Sequence, residues 1–204
     1  HENEKNYSLS GLPKPRLSVE SWSAAFQAAI LLDAKPSFLN CASLMKNLTL
    51  EGRQQSFHIN NREIILDVAH NLESIKYLIE HLNASDDVKS IKPRLVAIFA
   101  CMKDKDFKQM INLMKPLVRK WYFPFLSGNA RAIYPHLLER TLKECCLLPM
   151  QKGKLEPAIH VEISKSVKDS LINAIHNGSQ DDRIVVFGSF YTVAEAITFL
   201  EDLC

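Results

Sequence analysis

The chain has 204 residues, of which 47% are hydrophobic, so it is long enough to bury one sizeable core. Its formal net charge is only +2, and acidic and basic residues are interspersed, which argues against a nucleic-acid-binding face and a polybasic membrane anchor. Because no apolar run is long enough to span a bilayer and no signal peptide opens the sequence, we expect a cytoplasmic protein with neither nucleic-acid nor membrane partners.

The cysteines and histidines predict neither a disulfide framework nor a metal site. The five cysteines are odd in number and include no CxxC pair, so we expect them to be reduced. The seven histidines are scattered, and no cysteine lies at ligand spacing from them, so no metal ligand is predicted. Because the sequence begins at His1 rather than at methionine, we expect it to be a piece of a longer protein.

The amino-terminal part of the chain predicts helices. Trp22, Phe26 and Ile30 recur at helical spacing and predict a helix over residues 21–32. A second, shorter helix is predicted over residues 39–45.

Near Arg53 the helical sequence gives way to alternating strands and helices, and we expect a domain boundary between residues 1–52 and residues 53–204. The first two strands after this boundary are predicted to form a hairpin. The adjacent Asn60 and Asn61 between them tolerate the left-handed conformation that a tight turn requires.

The rest of the chain alternates between strand and helix. Helices are predicted from apolar residues at helical spacing, and strands from short, continuous apolar runs. In chain order the predicted elements are strand 62–68, helix 72–82, strand 94–100, helix 107–118, strand 121–124, helix 133–144, strand 158–163, helix 167–175, strand 183–188 and helix 191–203. This alternation predicts an α/β, Rossmann-like and mostly parallel sheet of about six strands, one of them antiparallel, with helices on both faces.

Polar residues at the carboxyl ends of the strands are the candidate site, because ligands of such sheets bind there. Asp67, His70 and Asn71 follow the first parallel strand. If Asn71 caps the next helix, the amino end of that helix also suits a bound anion. The alternative is that Asn71 only caps, Asp67 accepts backbone N–H bonds and His70 lies on the surface.

Two further strand ends carry candidate residues. The last strand runs into Gly188, which permits a tight turn or a close approach, and into Ser189, which either caps the next helix or binds a ligand oxygen. After the central strand, Lys105 either reaches a bound anion or lies in a solvated loop, while Asp104 or Asp106 caps the next helix.

Several catalytic and nucleotide-binding motifs are absent from the 204 residues. The sequence contains no GxxxxGK[ST] phosphate loop, no GxGxxG after a strand, no HExxH and no GxSxG. A dinucleotide cofactor is therefore poorly supported, and a Rossmann-type oxidoreductase with it.

Four short motifs, in this order and at this spacing, resemble a known family. They are EGR at 51–53, ILDVAHN at 65–71, MKDKD at 102–106 and RIVVFGSFYTVAEA at 183–196. Together they resemble the carboxyl-terminal domain of bacterial folylpolyglutamate synthase/dihydrofolate synthase, in the Mur-ligase superfamily. The likeness runs from about Arg53 to the end of the chain, and residues 1–52 look like the tail of the family's central ATPase domain with its linker.

The resemblance implies an ATP-dependent amide ligase. Such enzymes phosphorylate the carboxylate of dihydropteroate or of a (poly)glutamyl folate, and the amine of L-glutamate then attacks the acyl phosphate. ATP and Mg²⁺ are implied as cofactors, bound mainly by an amino-terminal domain that these 204 residues lack, so this chain alone is expected to be inactive. The resemblance also implies a monomer, and it leaves open whether the parent adds the first glutamate, extends a polyglutamate tail, or does both.

The resemblance also implies roles for individual residues. Asp67 and His70 match the active-site acid and imidazole, Gly188 and Ser189 match the glutamate-binding joint, and Arg53 matches a nucleotide-binding arginine. Asn71 and Lys105 are further candidates. A free-standing nucleotide- or amino-acid-binding module without catalysis is the alternative function, and an upstream segment carrying a glycine-rich phosphate loop would distinguish the ligase from it.

Overall fold

The computed structural model describes residues 11–13, 17, 19–32, 34, 37–84, 94–147, 159–179 and 181–203. It divides the chain into two compact units, residues 1–50 and residues 51–204. Two predictions lie outside the described residues: the start of a strand at residue 158 and the reduced state of the cysteine at residue 204. None of the described helices combines the length and apolar character needed to cross a membrane.

The first unit contains the two helices that the apolar spacing predicts. They are α1 (Val19–Leu31) and α2 (Phe38–Asn47), and Ser37 caps α2 by accepting a hydrogen bond from the backbone N–H of Asn40. Trp22 is buried on α1, whereas four leucines of this unit have half or more of their surface exposed. These leucines are Leu31, Leu32, Leu39 and Leu44.

The second unit is built on a six-stranded sheet, as predicted. Its strands are β1 (Gln55–Ile59), β2 (Arg62–Asp67), β3 (Arg94–Phe99), β4 (Val118–Pro124), β5 (His160–Ser164) and β6 (Asp182–Phe187). Their spatial order is β1-β2-β6-β3-β4-β5. The pair β1·β2 is antiparallel and every other pair is parallel, which confirms the expected mostly parallel sheet.

Helices cover both faces of this sheet. They are α3 (Leu72–Ala84), α4 (Phe107–Met114), α5 (Pro135–Leu147), α6 (Val167–Asn177) and α7 (Phe190–Glu201). Successive residues of a strand point to opposite faces, so Val185 joins the core under α3, α4 and α5, while Ile184 joins the core under α6 and α7. All six residues of β6 are buried, as expected for a strand covered on both sides.

The β1–β2 hairpin turns at the two asparagines, as predicted. Asn60 and Asn61 have φ angles of 50° and 63°, in the left-handed region that asparagine tolerates better than most residues. The hairpin leads into β2, and Asp67 lies at the carboxyl end of this strand, in the candidate site.

The predicted helix over residues 107–118 was wrong at its carboxyl end. Helix α4 ends at Met114, and Val118 begins β4. Pro116 explains the difference, because proline has no backbone N–H to continue the helix and restricts the residue before it. Met114 and Val118 have helical spacing in the sequence, but they lie on a helix and a strand that contribute to the same core.

Cationic side chains cap the carboxyl ends of helices at the amino edge of the sheet. Arg62, at the start of β2, donates to the carbonyl oxygens of Ala174 and Gly178 at the end of α6. Arg183, near the start of β6, donates to the carbonyl of Leu82 in the last turn of α3. These bonds satisfy carbonyls that a helix end leaves unpaired, and the positive charges oppose the negative end of each helix dipole.

Replacing Arg62 with methionine is expected to lower the free energy of unfolding by about 2–3 kcal/mol, because it leaves the carbonyls at the end of α6 without their charged donor. Urea denaturation, followed through the unfolding transition of the second unit, measures this change in the free energy of unfolding. The matched control is Arg140→Met, since Arg140 is 77% exposed and bonds only across one turn of α5. A loss for Arg62→Met no larger than that of the control would contradict the capping role.

Candidate functional site

Three strand ends meet at one edge of the sheet. Strands β2, β6 and β3 are adjacent and parallel, and Phe187 at the end of β6 pairs with Asp67 on one side and with Phe99 on the other. The crossovers that follow these strands lead into α3, α7 and α4, whose amino ends therefore lie at the same edge. Unpaired N–H groups and the positive ends of three helix dipoles make this edge favourable for anions.

Gly188 holds the β6 crossover against both neighbours. Its backbone N–H donates to the carbonyl of Ala69 at 2.9 Å, and its φ angle is 112°. A Cβ atom at this position would lie 2.5 Å from the carbonyl oxygen of Ala100 and 2.7 Å from the ring of Phe99. Only glycine fits here. The sequence predicts that Gly188 permits a tight turn or a close approach, and in the structure it lets the ends of neighbouring strands approach one another.

Ser189 caps α7 and is tied to β3. Its Oγ accepts a hydrogen bond from the backbone N–H of Thr192 at 3.1 Å and lies 2.7 Å from the Thr192 hydroxyl. That hydroxyl donates to the carbonyl of Ala100 at 2.8 Å, so Ser189 must be the donor between the two hydroxyls. The buried Ser189 Oγ keeps one lone pair that a ligand can use.

Asp67 is buried, and its carboxylate accepts hydrogen bonds from the backbone of one residue before it and one residue after it in the chain. One carboxylate oxygen accepts the backbone N–H of Ala69 at 2.8 Å, and the other accepts that of Gln54 at 3.1 Å. Gln54 has a φ angle of 47°, so this bond holds a left-handed residue directly after Arg53. Burial raises the pKa of Asp67, although the two N–H bonds and the nearby positive charge of Arg53 oppose that rise.

His70 presents one free ring nitrogen. Its Nδ1 lies 2.8 Å from the carbonyl oxygen of Val68. Because a carbonyl can only accept, Nδ1 carries a proton, and in the neutral imidazole Nε2 therefore has the lone pair for another partner. Asn71, the next residue, accepts the backbone N–H of Ser74 at 2.9 Å and so caps α3.

Arg53 reaches the same edge from the segment before β1. Its guanidinium carbon lies 5.8 Å from the ring centroid of Phe190, the first residue of α7. The imidazole of His70 lies 5.8 Å from the same ring. The structure thus brings Arg53, His70 and the start of α7 together, and Phe190 is a residue of this edge that we did not predict from the sequence.

Lys105 lies at this edge but is already paired. Its ammonium group is 3.1 Å from the carboxylate of Asp104, which also contacts Arg131 at 3.4 Å. Lys105, through its hydrogen bond, is the main reason that the pKa of the Asp104 carboxyl is lowered. Asp106, one of the two predicted caps, caps α4 by accepting the backbone N–H of Gln109 at 3.1 Å.

Neither a metal cluster nor a reactive thiol is found at this edge among the described residues. Within those ranges, no group of three or more His, Cys, Asp or Glu side chains is arranged to hold a metal ion. Cys101 follows β3, and burial raises the pKa of its thiol to about 12, so it is a neutral core residue at neutral pH.

Comparison with known proteins identifies relatives over most of the chain. The family model described as Mur ligase, glutamate ligase domain matches residues 52–190. Dihydrofolate synthase/folylpolyglutamate synthase of Haemophilus influenzae is 26% identical over 206 residues, which cover 94% of this chain and 44% of that protein. The Escherichia coli protein of the same name is 28% identical over 152 residues, 74% of this chain and 31% of that protein. The chain thus spans less than half the length of these relatives.

Solved structures share the fold. Escherichia coli FolC in complex with DHPP and ADP superimposes with a TM-score of 0.75 at 23% identity, over 96% of this chain and 42% of that chain. A Yersinia pestis bifunctional folylpolyglutamate synthase/dihydrofolate synthase complexed with AMPPNP and a manganese ion gives a TM-score of 0.72 at 23% identity, over 95% and 42%.

The resemblance that the four sequence motifs predict is confirmed by these matches. The family model alone covers more than half of the chain and includes both the Asp67–Asn71 crossover and the Gly188–Ser189 joint. The chain belongs to the Mur ligase, glutamate ligase domain family.

Proposed function

We propose that this chain is the carboxyl-terminal, glutamate-side part of an ATP-dependent amide ligase that adds L-glutamate to dihydropteroate or to (poly)glutamyl folates. The observation that carries the proposal is the gathering of Arg53, His70 and Ser189 at one edge of a domain of this family. A solved relative, a bifunctional folylpolyglutamate synthase/dihydrofolate synthase with Mn, AMPPNP and L-glutamate bound, supports the choice of ligands.

We further propose that residues 1–52 are the tail of a central ATPase domain and residues 53–204 the glutamate-side domain. The exposed leucines of α1 and α2 support this, because so short a unit cannot bury its own apolar surface. The 204 residues contain no GxxxxGK[ST] phosphate loop, so we assign Mg²⁺ and most contacts to ATP to the amino-terminal part of the longer protein. We expect that protein to be a cytoplasmic monomer.

The proposed reaction transfers the γ-phosphoryl group of ATP to the carboxylate of the folate substrate and releases ADP. The amine nitrogen of glutamate then attacks the acyl carbon, and the bond from that carbon to the phosphate oxygen breaks. Phosphate leaves, an amide forms, and the attacking nitrogen loses a proton. The amine must be neutral to attack, so a proton acceptor beside it accelerates the step.

The described residues can supply specific parts of this chemistry. His70 is the proposed proton acceptor: with Nδ1 bonded to the carbonyl of Val68, the neutral ring would accept the proton at Nε2. Arg53 and the helix amino ends stabilise the negative charge of the phosphate groups. The remaining lone pair of Ser189 accepts a hydrogen bond from the ammonium group of glutamate, which the negative charge of Asp67 also attracts. Asn71 and Lys105 stay as secondary contacts, because each already has an internal partner.

The 204-residue chain alone is expected to show no ATP hydrolysis, because it contains no phosphate loop. Phosphate release is measured with ATP, Mg²⁺, L-glutamate and dihydropteroate, first with the chain and then with the longer protein that contains it. Only the longer protein should release phosphate. Turnover of ATP by the pure 204-residue chain would refute the division of labour proposed above.

In the longer protein, His70→Ala is expected to lower kcat for glutamate ligation by about 10²–10⁴-fold, the usual contribution of a general base. Arg53→Ala should raise KM for ATP by about 10-fold or more, since it removes a charged hydrogen-bond donor. The matched control is His58→Ala, an exposed histidine on β1. Equal activity of the His58 and His70 variants would rule out the role of His70.

Asp67→Asn is expected to change how folding stability depends on pH. The pKa of Asp67 is raised in the folded state, so the folded protein holds this proton more tightly than the unfolded chain does. As pH rises from the ordinary value of 3.8 through the raised pKa, the parent protein should therefore lose stability relative to the variant, whose amide does not titrate. Urea unfolding of both proteins across this range is the measurement. A stability difference that stays flat or moves the other way would contradict the raised pKa.

A further inference from the structure

Phe190 is exposed although it lies at the start of the apolar stripe of α7. Val193, Ala196 and Leu200 form the buried stripe of α7, and Phe190 lies one turn before Val193 on the same stripe. It is nevertheless 59% exposed. An aromatic ring at this position contributes little to the core, which raises the question of what it does at the edge of the sheet.

The ring of Phe190 contacts two side chains that come from different segments. The guanidinium carbon of Arg53 lies 5.8 Å from the ring centroid, within the range of a cation–π interaction. The imidazole of His70 lies 5.8 Å from the same centroid at an interplanar angle of 47°. Arg53 precedes β1 and His70 follows β2, so the end of the β1–β2 hairpin brings their two segments together. The ring of Phe190, at the start of α7, packs against both side chains from a third segment.

The backbone that carries Phe190 is tightly held. Gly188 donates to Ala69, and Ser189 and Thr192 link the start of α7 to the carbonyl of Ala100. The backbone position of Phe190 is therefore fixed. Arginine, by contrast, has a long side chain that loses much rotational freedom when it is held in one place.

We propose that Phe190 is a positioning residue of the ligase site, whose ring holds the Arg53 guanidinium and the His70 imidazole in their working orientations. This inference rests on the proposed function, since it needs Arg53 and His70 to act in ligation. Phe190 itself touches neither a reacting atom nor a transferred proton. It acts by raising the fraction of time in which both side chains point to the bound phosphate and amine.

The kinetic test compares Phe190→Leu, Phe190→Tyr and Tyr191→Leu in the longer protein. Phe190→Leu removes the aromatic face and is expected to lower kcat/KM by about 5- to 30-fold, with KM for ATP raised through Arg53. Phe190→Tyr keeps the ring and should restore activity to within about twofold. Tyr191 is the matched control because it is the next residue of α7 and is 57% exposed.

A double-mutant cycle separates positioning from a general structural effect. If Phe190 acts on ATP binding through Arg53, Phe190→Leu should raise KM for ATP in the parent protein and leave it nearly unchanged in the Arg53→Ala background. Additive effects on KM would overturn the inference. So would equal losses in the Phe190→Leu and Tyr191→Leu proteins.

A second readout does not depend on activity. In NMR spectra of the 204-residue chain, the Arg53 side-chain protons should be shifted by the ring of Phe190. Phe190→Leu should remove this shift and Phe190→Tyr should keep it, whereas an unchanged Arg53 signal in Phe190→Leu would overturn the inference. If the longer protein ligates no glutamate, the proposed function fails and the inference fails with it. If it ligates glutamate but Arg53→Ala and His70→Ala both leave ligation intact, the roles of these two residues fail, and so does the inference that rests on them. If these two substitutions impair ligation while Phe190→Leu matches its control, only the inference fails.

Discussion

The parallel pairing of β2, β6 and β3 is the constraint on which the candidate site depends. It places three crossovers at one edge, and two hydrogen bonds then draw those crossovers together: Gly188 N–H to Ala69, and the Thr192 hydroxyl to Ala100. If these strand ends lay apart, Ser189 on the β6 crossover would not share a site with Arg53 and His70 at the end of the β1–β2 hairpin. The absence of a Cβ at Gly188 permits the approach, since any larger residue would meet the Ala100 carbonyl at 2.5 Å.

The two edges of the sheet differ in charge, and the difference follows from chain direction. Parallel strands with helical crossovers place helix amino ends at the carboxyl edge and helix carboxyl ends at the amino edge. At the amino edge, Arg62 and Arg183 donate to carbonyls in the last turns of α6 and α3 and so stabilise the fold. At the carboxyl edge, Ser189 and Asp106 each satisfy one of the free N–H groups of a helix, and the other N–H groups of the first turn can donate to phosphate and carboxylate oxygens.

Features encoded by local chemistry could be predicted from the sequence, and those encoded by distant contacts could not. The asparagine turn, the mostly parallel six-stranded sheet and the loops after β2, β3 and β6 that carry candidate residues were predicted from residue types and their spacing. The end of α4 was misplaced because apolar spacing was followed past Pro116. The capping of α6 by Arg62 joins residues 112 positions apart, and the exposure of Phe190 on an apolar stripe is set by the edge of the sheet, so no local pattern indicates either.

Asp67 shows that one polar residue can have a structural role and also support a candidate site. Its two backbone hydrogen bonds are the structural alternative that the sequence left open, yet the same bonds fix the residue that follows Arg53. The most direct test of the whole account is a crystal structure of the longer protein with a non-hydrolysable ATP analogue and L-glutamate. We predict that the nucleotide phosphates contact Arg53 and that the glutamate amine lies beside His70 and Ser189. Ligands bound at the amino edge, or away from all three crossovers, would contradict it.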